Sequence, residues 1–455
     1  MKNILIVLGF FTIVIATVSC KKDDSYTPLE ITAEADFVEV IQNGSIEVDV
    51  LQNDTNIPAS GILIASASEN GVVTIVDVND TPSDPSDDLV RYEPSTNFSG
   101  NDTFEYTVCD NEGIACASAT VSVTVVTATP VVLDLSAVPY EKLSDYNFFA
   151  GTLADQEPNY GVVPYKPIST LFTDYALKKR FIWLPNNTQG SYNGDHDILD
   201  LPVGTVLIKA FYYNNVLPQN NRRNIETRLM IKKESGWIFA NYIWNEAQTE
   251  AYFDLSGDFT DVTWMQDGET RTVNYRIPPE SQCFTCHKSE VNSIPIGVKP
   301  QNLNAGYPYM EGTKNQLQKL VEMGYLEDNI PAEITTVVDW RDESKPLNIR
   351  MRSYVDINCA HCHSDDRHCD YRPMRFQFSM TDDPANLGIC VEPDTFIPPY
   401  TKIVDPGNIE NSLLYFRLNT TEEQYRMPLL GRSLIHEENI RLVEDWINSL
   451  DPTCD

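Results

Sequence analysis

The sequence predicts a multidomain chain that changes class along its length. An all-β sandwich is expected over 30–127, a second β-rich module of sandwich type over 131–275, and mainly α regions over 276–345 and 346–455. Three observations predict this. A chain of 455 residues exceeds one ordinary domain. Apolar and polar residues alternate through most of the first 275 positions, the period of strands. Beyond residue 280 the period lengthens to that of helices, as at 315–326 and 437–450.

The first domain is read from its strands and turns. Alternation runs through Phe37-Val38-Glu39-Val40, Ser45 to Val50 and Ala119 to Val125. Turn pairs punctuate it at Asn43-Gly44, Asn70-Gly71, Ser99-Gly100 and Glu112-Gly113. About seven short strands in a domain of about 100 residues suit an immunoglobulin-like sandwich. The stretch from Tyr92 to Val108 resembles the cadherin-like Ig repeats of bacterial surface proteins. Cys109 and Cys116 lie symmetrically about Glu112-Gly113, so a two-residue hairpin turn there would face them for a cross-strand disulfide. Asp77, Asp80, Asp84, Asp87 and Asp88 share one loop. Such an oxygen-rich loop can hold Ca²⁺, but without EF-hand spacing the ordinary reading is a solvated acidic loop.

Thr127-Ala128-Thr129-Pro130 reads as a linker. The module after it is rich in Tyr, Phe and Trp, with strand patterns at 180–184, 205–213, 227–231 and 237–244.

The N-terminus reads as a targeting signal over 1–19. Lys2 supplies the positive start and Ile4 to Val18 the apolar run, and Thr17-Val18-Ser19 leads into Cys20. This arrangement resembles the lipobox of bacterial lipoproteins, which implies lipid on Cys20, a polar tether over 20–29 and an outer-membrane location, periplasmic or cell-surface facing. The membrane is then met by a lipid anchor only. The formal charge of −33 disfavours nucleic acid and other anionic partners.

The chemistry is carried by a five-residue motif that occurs twice, Cys283-Phe284-Thr285-Cys286-His287 and Cys359-Ala360-His361-Cys362-His363. C-x-x-C-H has a mechanical meaning. Two thiols spaced by two residues add across the two vinyl groups of one haem, and the adjacent imidazole falls beneath the iron. A chance match is expected roughly 0.003 times in a chain of this composition, so two are not accidental. A zinc site would want four Cys or His ligands closing a small domain, and a redox dithiol would not call for the His twice. Two covalent haems c are therefore expected, attached at Cys283, Cys286, Cys359 and Cys362, with His287 and His363 on the irons.

Met427-Pro428 follows the second motif, and a C-terminal helix over 437–447 follows it in turn. With a helix over 348–357 before the motif, this order resembles class I cytochromes c and implies Met427 as the sixth ligand. In the C-terminal helix Ile440, Val443 and Ile447 share a face, with Trp446 beside them. The first haem has Met265, Met310, Met323, Met351, His196 and His436 as candidates, or an open sixth position, while His361 and His368 read as surface residues. Export permits disulfides. A bridge between Cys369 and Cys390 would pin the insert after the second motif, leaving Cys454 over.

Residues of roughly 140 to 450 resemble a family of dihaem c-type cytochromes, often lipoproteins. The matching stretches, in order, are LSDYNFF at 143–149, LFTDYA at 171–176, PVGT at 202–205, IETRL at 225–229, WNEAQTEA at 244–251, the two motifs with their flanks, and 427–436. The resemblance implies haem binding and electron transfer to a redox partner protein or an extracellular acceptor, a carrier rather than a catalyst. Two other classes stay open: a dihaem enzyme such as a peroxidase or dehydrogenase subunit, and a surface binding module in which the aromatic β region holds the ligand.

Overall fold

The computed structural model describes residues 30–96, 98–127, 130–309, 312–451 and 454. The signal over 1–19, Cys20 and the tether over 20–29 lie outside them, as do Ala128 and Thr129 of the linker and Met310. Among the described residues no helix is long and apolar enough to cross a membrane. The chain divides into two compact units, one built on the N-terminal sandwich and one whose main body begins at Thr124.

The sandwich has the seven expected strands: β1 (Asp36–Ile41), β2 (Ile46–Val48), β3 (Gly61–Ala65), β4 (Gly71–Asp77), β5 (Asp88–Pro94), β6 (Gly100–Asp110) and β7 (Cys116–Val126). They form two sheets, ordered β1-β7-β6-β3 and β2-β5-β4. Alternation directs Phe104, Tyr106 and Val108 of β6 and Val121, Val123 and Val125 of β7 inward. Cys109 and Cys116 form a disulfide. Its turn differs from the expected two-residue form. Five residues connect β6 to β7, because Asp110 closes a bond from its N–H to the Ala115 carbonyl and its carboxylate accepts from the Ile114 N–H. In the acidic loop, carboxylate oxygens of Asp77, Asp87 and Asp88 lie within 4.8 Å of one another. Asp87 accepts from Asn79 and Thr81, and Asp84 caps the short 3-10 turn Pro85–Asp87.

The second unit is organised by one antiparallel sheet. A short pair, β8 (Phe149–Ala150) with β9 (Glu157–Pro158), precedes it. The sheet itself joins β10 (Val163–Pro164), β11 (Leu177–Trp183), β12 (Val206–Val216), β13 (Asn221–Lys233), β14 (Gly236–Trp244) and β15 (Ala251–Phe253) in that order. The hairpin β16 (Asp258–Gln266) and β17 (Glu269–Ile277) attaches to β12. This replaces the sandwich-type module of the sequence reading, since the sheet is continuous and its covering layers are not a second sheet. One face packs Phe181, Ile208, Leu229 and Tyr242 against Leu143, Tyr146 and Phe148. The other packs Ile182, Leu207 and Met230 against Leu303, Leu317 and Leu320. Residues 298–326 therefore share the sheet's core rather than having one of their own.

The mainly α expectation for 276–455 is corrected. Among the described residues six α-helices are present there, α1 (Glu280–Cys286), α2 (Pro300–Leu303), α3 (Gln316–Glu322), α4 (Leu347–Asn358), α5 (Leu413–Leu418) and α6 (Glu437–Ser449), of which only α4 and α6 exceed two turns. Between α4 and α5 the chain carries Pro373, Pro384, Pro393, Pro398, Pro399 and Pro406. Each removes a backbone donor and disfavours a preceding helical turn, and that segment holds only the short 3-10 turns Pro384–Leu387 and Ile409–Asn411. The two long helices meet as expected. Val443, Trp446 and Ile447 of α6 bury against Met351, Tyr354 and Val355 of α4, and Trp446 Nε1–H donates to Asn348 Oδ1 at 3.0 Å. Ile440 is only partly buried, and Leu442 takes the core place expected of it.

Candidate functional site

The second motif is delivered by α4. The helix ends at Asn358, Cys359 caps it, and the chain stays tightly wound, with the N–H groups of Cys362 and His363 both donating to the Cys359 carbonyl. Cys359, Cys362 and His363 line a cleft of about 1030 Å³ of empty space, and Met427 lines it too. Its wall is apolar, with Phe376, Ile403, Leu413, Leu414 and Leu418. Met427 is held from both sides. Its N–H donates to the Arg417 carbonyl at 2.9 Å, and its carbonyl accepts from Arg432 Nε at 2.8 Å. Asp174 fixes the loop beyond by accepting from the backbone N–H of Ser433 and Leu434. Tertiary contacts thus bring His363 and Met427 to one cavity.

The first motif is delivered by the sheet. Strand β17 runs through Pro278 and Pro279 into the seven-residue α1, which carries both thiols and is capped by His287. The His287 ring stands at 5.5 Å from the Phe239 ring of β14. Cys283, Cys286 and His287 line a second cleft, of about 1440 Å³ of empty space, against β12, β13 and β14.

Both imidazoles suit a metal. His287 Nδ1 lies 2.8 Å from the Ile294 carbonyl, which fixes the proton there and leaves Nε2 as the lone-pair nitrogen. His363 Nδ1 is buried with no hydrogen-bond partner, an unmet polar atom. Burial lowers both rings to a pKa of about 4, so each is the neutral, ligating form at pH 7. Burial also pushes the Cys359 thiol up to about 12. The donor set of two thiols and one neutral imidazole at each cleft, with an apolar wall at the second and apolar and basic residues together at the first, fits a covalently attached haem.

The two clefts share a wall. Cys286, Asn358, His361, Pro428 and Leu430 line both. One ligand atom from each of Cys286, His361 and Cys362 lies within 4.8 Å of the others. Three donors are one short of the four that a structural zinc takes. His361 is thus a cavity-wall residue, not the surface residue expected, whereas His368 is exposed as expected.

None of the described candidates for the first haem's sixth ligand lines the cleft of His287. Met351 is in the α4–α6 core, Met323 packs under the sheet, and Met265 accepts from Thr270. His196 is bonded to Gln301, and His436 stacks on Phe172 at 3.9 Å. Met230 and His361 do line that cleft. Met230 carried no signal in the sequence, because it sits in an ordinary alternating strand.

The Cys369–Cys390 bridge is also corrected, because Cys390 pairs with Cys454. The Gly407 N–H bonds the Ile447 carbonyl, and the Cys390 N–H bonds Val404, so the segment beside Cys390 lies against the end of α6 and the tail that follows. Cys369 is a buried free thiol tied by its N–H to the Cys362 carbonyl.

A family model described as a bacterial Ig domain matches residues 26–124. The N-terminal unit is therefore Ig-like, as both its sequence and its two sheets indicate. A comparison with curated proteins finds no match.

Proposed function

We propose that this protein is a dihaem c-type cytochrome that transfers electrons in the bacterial cell envelope, held at the outer membrane by lipid on Cys20. The observation that carries the reading is that the second motif's Cys359, Cys362 and His363 and the distant Met427 line one apolar cleft. In this reading Cys283 and Cys286 hold one haem and Cys359 and Cys362 the other, with His287 and His363 as proximal ligands. When bound, the haems supply reversible one-electron chemistry at iron. The chain's own residues set its conditions. Met427 offers a thioether that favours the ferrous state, and Leu413, Leu414 and Leu418 give the cleft an apolar wall. The proximity of Cys286 and His361 of the shared wall to Cys362 supports passage of electrons from one cleft to the other. The acidic surface suits a basic redox protein or an extracellular acceptor.

Purified, natively processed protein tests this directly. A pyridine haemochrome should count two haems c, and magnetic circular dichroism should give one His–Met signature. A chain with no haem c would end the reading. A high-spin ferric first haem with peroxide turnover would instead favour a dihaem enzyme.

A further inference from the structure

The sheet face above the first motif carries a row of like charges. In register across four strands, Arg180 of β11 faces Lys209 of β12, Lys209 faces Arg228 of β13, and Arg228 faces Asn241 of β14. Cross-strand partners point to the same side of a sheet. These four side chains accordingly stand together, and all four line the cleft of Cys283, Cys286 and His287. Directly opposed like charges weaken a sheet, and burial sharpens the cost. Burial, with Arg180 and Arg228 alongside, drives Lys209 well below the usual lysine range.

The acids present do not balance the row. Arg228 is matched by Glu226, which accepts from its Nε at 2.9 Å, and Arg276 at the rim reaches Glu423 at 3.6 Å. Arg180, 8% exposed, and Lys209 make no ion pair among the described residues. Asn241 is 4% exposed, and neither its Nδ2 nor its Oδ1 has a partner. Two basic side chains thus have no acidic partner among the described residues, and one buried amide has no hydrogen-bond partner. The next row on the same face, Leu207, Met230 and Phe239, is apolar and lines the same cleft.

We infer that the Arg180–Lys209–Arg228 row with Asn241 is a carboxylate seat, and that its occupant is the propionate edge of the porphyrin attached at Cys283 and Cys286. Two carboxylates answer the two unmatched cations, and the Leu207–Met230–Phe239 row answers the apolar ring. This assignment rests on the haem reading above. A free oxyanion has the same charge chemistry and is distinguished by the test.

The full holoprotein is used. Arg180→Gln and Lys209→Met should keep two haems by pyridine haemochrome, yet lower the midpoint potential of one haem only, with the double variant lower than either single one. Lys179→Gln, on the opposite sheet face, should move neither, and Arg180→Lys should restore most of the shift. In the wild type the first haem's midpoint should stay flat between mildly acidic and mildly alkaline pH, because ion-paired propionates do not titrate there. That measurement decides the matter if a variant fails to fold. Unmoved midpoints in folded two-haem variants, or a pH-dependent first midpoint, would overturn the seat. A saturable shift of the wild-type first-haem spectrum on adding phosphate or nitrite would overturn its occupant. A wild type without haem c fails at the first step and sinks the haem reading itself.

Discussion

One five-residue motif is set in two different surroundings within a single unit. The second copy follows a twelve-residue helix and is enclosed by the α4–α6 core, with an apolar wall and a methionine facing it. The first follows a seven-residue helix and is enclosed by a sheet that presents Arg180, Lys209 and Arg228. Under the proposed function the motif would specify attachment and the proximal imidazole in both, because those depend on neighbours in sequence. Polarity and any sixth donor depend on whatever packs across the cleft, so identical motifs need not give equivalent sites.

The comparison can be broken one side at a time. The largest effect is expected from Cys359→Ala with Cys362→Ala. The haem count should fall from two to one, with the first haem's spectrum retained. A spectrum altered for both would show that the shared wall, not the separate scaffolds, governs them. Next is Trp446→Ala, which empties the centre of the α4–α6 core and removes the bond to Asn348. Truncation of a buried Trp costs about 3–5 kcal/mol, so denaturant should release the second haem's environment well before the first's. Somewhat smaller is Cys454→Ser. Loss of its bridge to Cys390 should cost about 2–4 kcal/mol, read as a lower midpoint in denaturant, whereas Cys369→Ser should leave the disulfide pattern unchanged on non-reducing peptide maps.

The last effect concerns pH and develops only in acid. His436 lies in the second region, stacked on Phe172 and edge-on to Trp340, and burial lowers its pKa to about 3. The unfolded chain takes up that proton near pH 6.5, the folded chain only near 3. The associated stability is therefore full above 6.5 and is lost as pH falls through this window. His436→Phe should flatten that part of the acid-unfolding curve for the second region and leave the first region's curve as it was.

Some of this organisation is local and was legible in the residues. Strand patterns located β1, β2, β7 and β11 to β14, and the flanking helices of the second motif fell within a residue or two of α4 and the start of α6. The motif spacing singled out four thiols and two imidazoles, and Met427 was found by its place before the last helix. Pairings across long loops were not legible. Cys369 lies nearer to Cys390 in the chain than Cys454 does, yet α6 returns the tail to Cys390. His361 looked like an exposed position inside a loop, and only the meeting of the two motifs made it part of both cleft walls.

By itself the sequence determined the strand-rich first half, the Ig-like character of the N-terminal unit and the grouping of four thiols and two imidazoles that the spacing of the two motifs imposes. The tertiary structure alone decided that a continuous sheet, not a second sandwich, walls the first cleft, and that three cations stand in one buried row there. The physical reason is register. Alternation tells which residues share a face of one strand, but which residues of the next strand stand beside them is fixed only when the strands pair.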